Sequence, residues 1–345
     1  MFRQRKKTKI FAIIAVILLA LGTTAYRLAD RYLIEHVEVV VAPNGASAQG
    51  RPETSATSES AEASEDAGAS ESSGTSGTSE SSGTDAPDAS ATEVEWDDWN
   101  YTDENVTIRI EKVQTGSGDD VVTYFVADVQ LSESADLLTA FAKNAFGTNI
   151  TEDTSTIAAN NNAIFAINGD YYGFRSDGVV IRNGTLYRDE PARDGLALLE
   201  DGTLMPYDEE ETSTDALLAQ GVTNTFSFGP ILVQDGEIAG DFSSVRIDNN
   251  FGNRSIQNAN PRTGIGMIAP NHFLFIVVDG REEGYSRGMT LTEFAELFRE
   301  LGATEAYNLD GGGSSTMYFM GRVVNDPLGE GKERGVSDII YIPQS

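Results

Sequence analysis

From residue 96 to the C-terminus, apolar positions fall into short runs broken by glycine, asparagine and aspartate. NVTIRIEKV (105–113) and VVTYFVADVQL (121–131) alternate as strands do and are joined by the turn sequence GSGDD. AIFAIN (163–168) is a short unbroken apolar run, the pattern of a buried strand. Three stretches place Asn-Gly or Asp-Gly between apolar runs, which predicts hairpins over 178–187, 196–207 and 231–240. A further strand pair is expected over 262–280, a strand over 304–310, a hairpin over 315–325 and a last strand over 337–343. Helical spacing is clearest in MTLTEFAELFRELG (289–302). There Thr290 and Glu293 form a capping box, Leu291, Phe294, Leu297, Phe298 and Leu301 share one face, and Gly302 ends the helix. ADLLTAFAKNAF (135–146) and STIAANNNA (155–163) predict two more helices.

The order of these elements repeats. A strand, helices, the strand AIFAIN, the polar loop GDYYGF and a hairpin are matched by the strand NHFLFIVVDG, a helix, the strand EAYNLD, the polar loop GGGSS and a hairpin. Asn168 and Asn308 stand near the ends of the two inner strands. Two pseudo-equivalent halves would bring the NGDYY and DGGGSS loops to one side of the molecule.

The N-terminus has a different pattern. Residues 1–9 form a basic segment, 10–26 an uncharged apolar stretch, and 27–42 a juxtamembrane segment. Seventeen residues are at the short end for a membrane span and longer than a usual signal-peptide core. An uncleaved signal anchor is expected, with residues 1–9 cytoplasmic and the rest extracellular, in a cell membrane crossed once. Residues 43–95 are Ser, Thr, Ala, Gly and Glu in loose repetition, with eleven acidic residues and one basic. Such a segment buries too little apolar surface to order itself. It predicts a disordered linker of coil dimension about 40 Å, a stalk between anchor and domain.

Charge and composition narrow the chemistry of the domain at 96–345. It has 40 acidic and 16 basic residues, which excludes nucleic acid as a partner. Thirteen of the basic residues are Arg, the better bidentate partner for phosphate. No cysteine is present and only two histidines, which excludes thiolate sites and argues against a Ser-His-Asp triad or a His-rich zinc site. Acid–base work then falls to carboxylates.

NLDGGGSST supplies the strongest candidate site. Glycines after a strand allow close backbone approach, successive N–H groups form an anion cradle, and hydroxyls add donors. Asp310 stands beside Gly311, Gly312, Gly313, Ser314, Ser315 and Thr316, with Asn308 before it. NGDYY has the same grammar. Asn168, Gly169 and Asp170 follow a strand, and Tyr171 and Tyr172 offer rings to a sugar. Arg262 begins one strand and Asp279 and Arg281 follow the next, as in an anion clamp.

NGDYY, FGPILVQDGE, NPRTGIG, VVDGR, the run TLTEFAELFRELGATEAYNLDGGGSSTM and the closing ERGVSD together resemble the phosphodiester glycosidase family over about 105–345. The resemblance implies an α+β fold, and the hairpins make the expected sheet mixed and mostly antiparallel, with few helices. It also implies hydrolysis at the anomeric carbon of a sugar-1-phosphodiester, and it adds Arg334 to the pocket residues. The chain departs from the family in two places. Ser227-Phe228-Gly229-Pro230 replaces a more glycine-rich turn, and the cysteine pairs of the animal member are missing.

Hydrolysing such a bond needs a carboxylate as nucleophile or base, while the leaving phosphate monoester needs only arginines and N–H groups. Asp310, Asp170 and Asp279 are the catalytic candidates, and no cofactor is required. A divalent cation held by the same three carboxylates is the open variant. A non-catalytic module binding a glycan or teichoic acid, and a scaffold for envelope polymer assembly, are the alternatives to a hydrolase acting on an envelope glycan or exopolysaccharide.

Overall fold

The computed structural model describes residues 17–31, 33–42, 94–246, 256–329 and 331–344. Nine strands form the larger sheet. Its spatial order is Glu237–Ile238, Ile231–Gln234, Glu305–Asn308, Arg262–Ala269, His272–Val278, Val122–Leu131, Val106–Thr115, Asn100–Thr102 and Glu95–Trp96. A five-stranded sheet runs Arg322–Val323, Met317–Phe319, Ala163–Asn168, Asp338–Pro343 and Leu138–Phe141. All the pairings in both sheets are antiparallel, as the predicted hairpins require. The fold is α+β with few helices.

Alternation along His272–Val278 shows how the layers are made. Phe273, Phe275 and Val277 enter a core shared with Phe165, Ile167, Ile340 and Ile342 of the smaller sheet, and Phe165 meets Phe275 ring to ring at 5.1 Å. Leu274, Ile276 and Val278 point the other way, into a cluster with Leu291, Phe294, Ala295 and Phe298 of the helix Leu291–Glu300. The two sheets therefore face each other, and that helix covers the outer side of the larger one. Gly264 and Gly266 make the close fit possible, because a Cβ on either would stand under 3 Å from Phe294 or Phe298. The capping box is formed as the sequence predicts: the Glu293 N–H donates to Thr290, and the Thr290 N–H donates to Glu293 at 2.8 Å. A short helix, Thr154–Asn160, packs Ile157 and Ala158 against Ala166, Ile339 and Tyr341 on the outside of the smaller sheet.

The segment 135–146 is not a helix. It forms the strands Leu138–Phe141 and Ala145–Thr148, separated by a tight turn in which Lys143 and Asn144 have φ of 54° and 51°. The strand Ala145–Thr148 pairs with His36–Val40, so the segment 27–42 is partly built into the domain. The chain thus touches the domain before the acidic run begins. Residues 43–93 of that run lie outside the described residues. The expected anchor, 10–26, begins outside them too, and its described part is helical within 17–31. Among the described residues no helix is long and apolar enough to cross a membrane.

The repeat in element order is realised in part. Ala163–Asn168 and Glu305–Asn308 are each an interior strand with antiparallel neighbours on both sides, in different sheets. The halves interleave, because the hairpin after the second loop pairs with Ala163–Asn168 of the first.

Candidate active site

The ends of the two interior strands meet. Asn168 Nδ2 donates to the Asp310 carbonyl at 2.7 Å, and Asn168 Oδ1 accepts from Thr263 Oγ1 at 2.8 Å and from the Thr316 N–H at 3.2 Å. One buried amide thus ties the NGDYY loop to both ends of the DGGGSST loop. Leu309 and Gly312 donate backbone N–H groups to Thr263 and Pro261 at 2.8 and 3.0 Å, which brings the start of Arg262–Ala269 to the same place. Asn308 reaches the other way, with Nδ2 donating to the Gly229 carbonyl at 2.8 Å.

Each glycine of the triplet answers a different neighbour. A Cβ on Gly311 would stand 2.8 Å from the Pro261 carbonyl oxygen. Gly312 has φ of +66° and lies against the Arg281 guanidinium. Gly313 has the Arg334 side chain 3.1 Å from the position a Cβ would take. Part of the anion cradle expected of these amides is taken up within the structure: Gly312 N–H is held by Pro261, and the Ser314 and Ser315 N–H groups by the carbonyls of Gly311 and Gly312. The glycines also bring two arginines, Arg281 and Arg334, to the loop.

The three candidate carboxylates have three different environments. Asp310 is partly open, with its side chain 13% exposed. Its Oδ2 accepts from Ser314 Oγ at 2.6 Å and lies 3.4 Å from Arg334 Nη2, which also donates to Ser314 Oγ at 2.5 Å. Burial pushes its pKa up. Arg334, the Ser314 hydroxyl, Arg175 and the Gly311 N–H pull against that rise without cancelling it.

Asp170 is closed off. It is buried, and its oxygens accept from the N–H groups of Tyr172 and Ser227 and from Arg182 Nη2 at 3.0 Å. Arg182, itself 2% exposed, is shared with Asp338 at 2.8 Å. Burial works to raise the pKa of Asp170, but Arg182 and the two N–H groups outweigh it and hold it low. Asp338 shares Arg182, but burial, with the neighbouring Asp170 charge, outweighs that guanidinium and takes its pKa up to about 7. Gly169 is required beside this pair, because a Cβ there would lie 2.2 Å from Asp338 Oδ1.

Asp279 is 1% exposed. It accepts from Asn325 Nδ2 at 2.8 Å, from the Asp326 N–H, and from Tyr285 Oη at 3.0 Å. Burial raises its pKa to about 6 against these donors. Asn325 also donates to the Ser315 carbonyl and accepts from the Met317 N–H, so Asp279 braces the DGGGSST loop from beneath.

The aromatic and basic candidates divide in the same way. Tyr172 is buried, stacked on Phe146 at 5.3 Å, with its hydroxyl donating to the Ser337 carbonyl. It supports the loop and offers no face to a sugar. Tyr171 is half-buried and carries Arg175 over its ring at 5.1 Å. Arg262 is buried and donates to the carbonyls of Met289 and Asn258, while burial and nearby Arg281 lower its pKa to about 10. It pins a loop and is not exposed to an anion. Arg281 and Arg334 are exposed. Three buried polar atoms, Asn308 Oδ1, Ser315 Oγ and Thr316 Oγ1, have no hydrogen-bond partner among the described residues. Among the described residues no three His, Asp or Glu side chains are grouped so as to hold a metal ion.

Sequence reading missed Arg175, Arg182, Asn325 and Asp338. Arg175 stands five residues after Asp170 and felt no motif around it; its place is set by the rings of Tyr171 and Phe228, 5.1 and 5.0 Å from its guanidinium. Asp338 was visible only as part of the closing ERGVSD.

The two-sheet fold is that of the catalytic domain of a zebrafish N-acetylglucosamine-1-phosphodiester alpha-N-acetylglucosaminidase, solved auto-inhibited by its pro-peptide. The two share a fold at a TM-score of 0.55 and 21% identity, over 70% of this chain and 84% of that one. A hypothetical protein from Synechocystis has the same fold at 0.51 and 17%, over 74% and 64%. The model of the phosphodiester glycosidase family matches residues 161–343, and the chain belongs to that family, a family of hydrolases. The SPbeta prophage-derived uncharacterized protein YomE of Bacillus subtilis (strain 168) is 32% identical over 206 residues, 57% of this chain and 30% of its own length. The Bos taurus N-acetylglucosamine-1-phosphodiester alpha-N-acetylglucosaminidase is 31% identical over 138 residues, 38% of this chain and 25% of its own. The chain thus spans less than a third of either curated relative.

Proposed function

We propose that this chain hydrolyses the glycosidic bond of a sugar-1-phosphodiester in an envelope or exopolysaccharide glycan, from an extracellular position on a membrane anchor. Asp310 carries the reading. It is the one of the three candidate carboxylates with an open side, and it sits in the loop on which the family resemblance is strongest. Its ionised oxygen attacks the anomeric carbon, giving a glycosyl ester that water then opens, or it takes a proton from the water that attacks that carbon. The bond from that carbon to the phosphate oxygen breaks, and the phosphate monoester leaves as an anion that needs little protonation. Arg334, Arg281 and Arg175 offset the charge that develops on it. The unpartnered polar atoms of Asn308, Ser315 and Thr316 support a ligand-binding role, since buried groups left without partners concentrate at functional sites. Asp170, Asp279 and Arg262 hold the loops in place. No metal is required.

The test is release of sugar from a model sugar-1-phosphodiester. Asp310→Asn should lower kcat by at least about 100-fold with an unchanged circular dichroism spectrum, in keeping with loss of a group acting in proton transfer. Full activity in that variant removes the assignment. The acid limb of the wild-type profile should lie above the ordinary aspartate range, near 3.9, because burial raises the carboxyl that must ionise. Chelator should leave the rate unchanged. Ligand binding that survives Asp310→Asn with no sugar released by the wild type would favour the binding-module reading.

A further inference from the structure

The strand His36–Val40 changes what the acidic segment does. It pairs antiparallel with Ala145–Thr148, with His36 opposite Thr148 and Val40 opposite Ala145. The receiving edge is shaped for it. Gly147 comes so close to the strand that a Cβ would stand 1.9 Å from the His36 carbonyl oxygen. Asn149, at φ of 59°, donates through Nδ2 to the carbonyls of Ile34 at 2.9 Å and Asp30 at 3.2 Å. Lys143 meets Glu35 at 2.5 Å, and the Val41 N–H donates to the Asn144 carbonyl at 2.8 Å. Val41 then packs on the cluster of Phe141, Phe146, Tyr172 and Val180.

These contacts begin at Asp30, within the helix 17–31, and continue from Ile34 to residue 41. His36, the first residue of the strand, stands only six residues after Asp30, a span of at most about 22 Å at full extension. The described residues on either side of the acidic segment in sequence belong to one compact unit.

We propose that residues 30–42 form a strap that holds the hydrolase domain directly to the N-terminal helix, and that the acidic segment is an excursion that bears no load. The inference does not depend on the glycosidase reading. Its consequence is specific: a cut within the acidic segment leaves the domain attached. If the helix is a membrane anchor, the domain works within a short reach of the bilayer, on membrane-proximal glycan, and stays there after the cut.

The experiment uses the full chain in detergent micelles, with a site-specific protease sequence inserted between residues 60 and 80. After digestion, the N-terminal fragment and the fragment containing 94–345 should elute together on gel filtration. The backbone amide of Val41, which donates to the Asn144 carbonyl, should exchange in the uncut chain at least about 100-fold more slowly than in an unstructured peptide. Val39→Pro fixes φ and removes an N–H in the pairing segment while leaving the rest of the domain untouched, and it should separate the fragments. Elution of the C-terminal fragment alone from the cut wild-type chain, an unprotected amide at 41, or co-elution unchanged by Val39→Pro would each overturn the proposal. Sugar release by the separated domain reports on the glycosidase reading independently.

Discussion

At the scale of the residue, the sequence offered three aspartates with the same credentials, each just past a strand in a glycine-bearing loop. What distinguishes them is their neighbours across the chain. Arg182, twelve residues on, encloses Asp170, Asn325 encloses Asp279, and only Asp310 keeps an open side. No local pattern encodes those long-range partners, which is why the loops could be read and the roles could not. Asp279 also sets a pH dependence. Its pKa is about 6 in the fold against an ordinary 3.8, so the folded state binds its proton more tightly than the unfolded chain does. Stability from this group is present below about pH 4 and is lost as pH rises to about 6. The loss is up to about 3 kcal/mol. Asp279→Asn preserves the acceptor for Asn325 and cannot ionise. Its melting temperature should therefore gain on that of the wild type between pH 4 and 6.5, and parallel curves would show that Asp279 is not the group responsible.

At the scale of the element, legibility followed locality. The helix Leu291–Glu300 was read with its cap, box and terminal glycine because all lie within fourteen residues; of its expected apolar face only Leu301, the C-cap, proves exposed. The Asn-Gly and Asp-Gly turns were read because Asn183, Gly184, Asp235 and Gly236 take the positive φ those pairs favour. The segment 135–146 was misread because its apolar residues suit a helix as well as two short strands. The strand pairing with 338–343 and 36–40 decided it, and neither partner is nearby in sequence. Thr290→Ala deletes one side of the capping box while leaving the buried face intact. It should cost about 1 kcal/mol, a fall of roughly 2–4 °C in thermal melting for a domain of this size, with no change in kcat.

At the scale of the whole molecule, the two-sheet sandwich places charge unevenly. The chain bears a net formal charge of −30, yet its candidate site gathers Arg175, Arg281 and Arg334, which suits the anionic substrate proposed for it. Long-range repulsion and short-range attraction therefore oppose each other. Repulsion acts at distances that salt screens, since the Debye length falls from about 30 Å at 0.01 M to about 8 Å at 0.15 M. Raising salt over that range should increase kcat/KM for a phosphodiester substrate while kcat holds steady. A steep fall in kcat/KM would mean that the arginines govern encounter as well as the bound state.

The glycine triplet sets what the loop can be turned into. At Gly311 a carbonyl oxygen stands 2.8 Å from where a Cβ would lie, and Gly312 takes a φ of +66° that side-chain-bearing residues rarely adopt. Gly313 meets side-chain atoms alone, among them the stem of the exposed Arg334, a neighbour free to move aside. Two positions are therefore closed by backbone, and the third is the place where a redesigned loop can take a side chain.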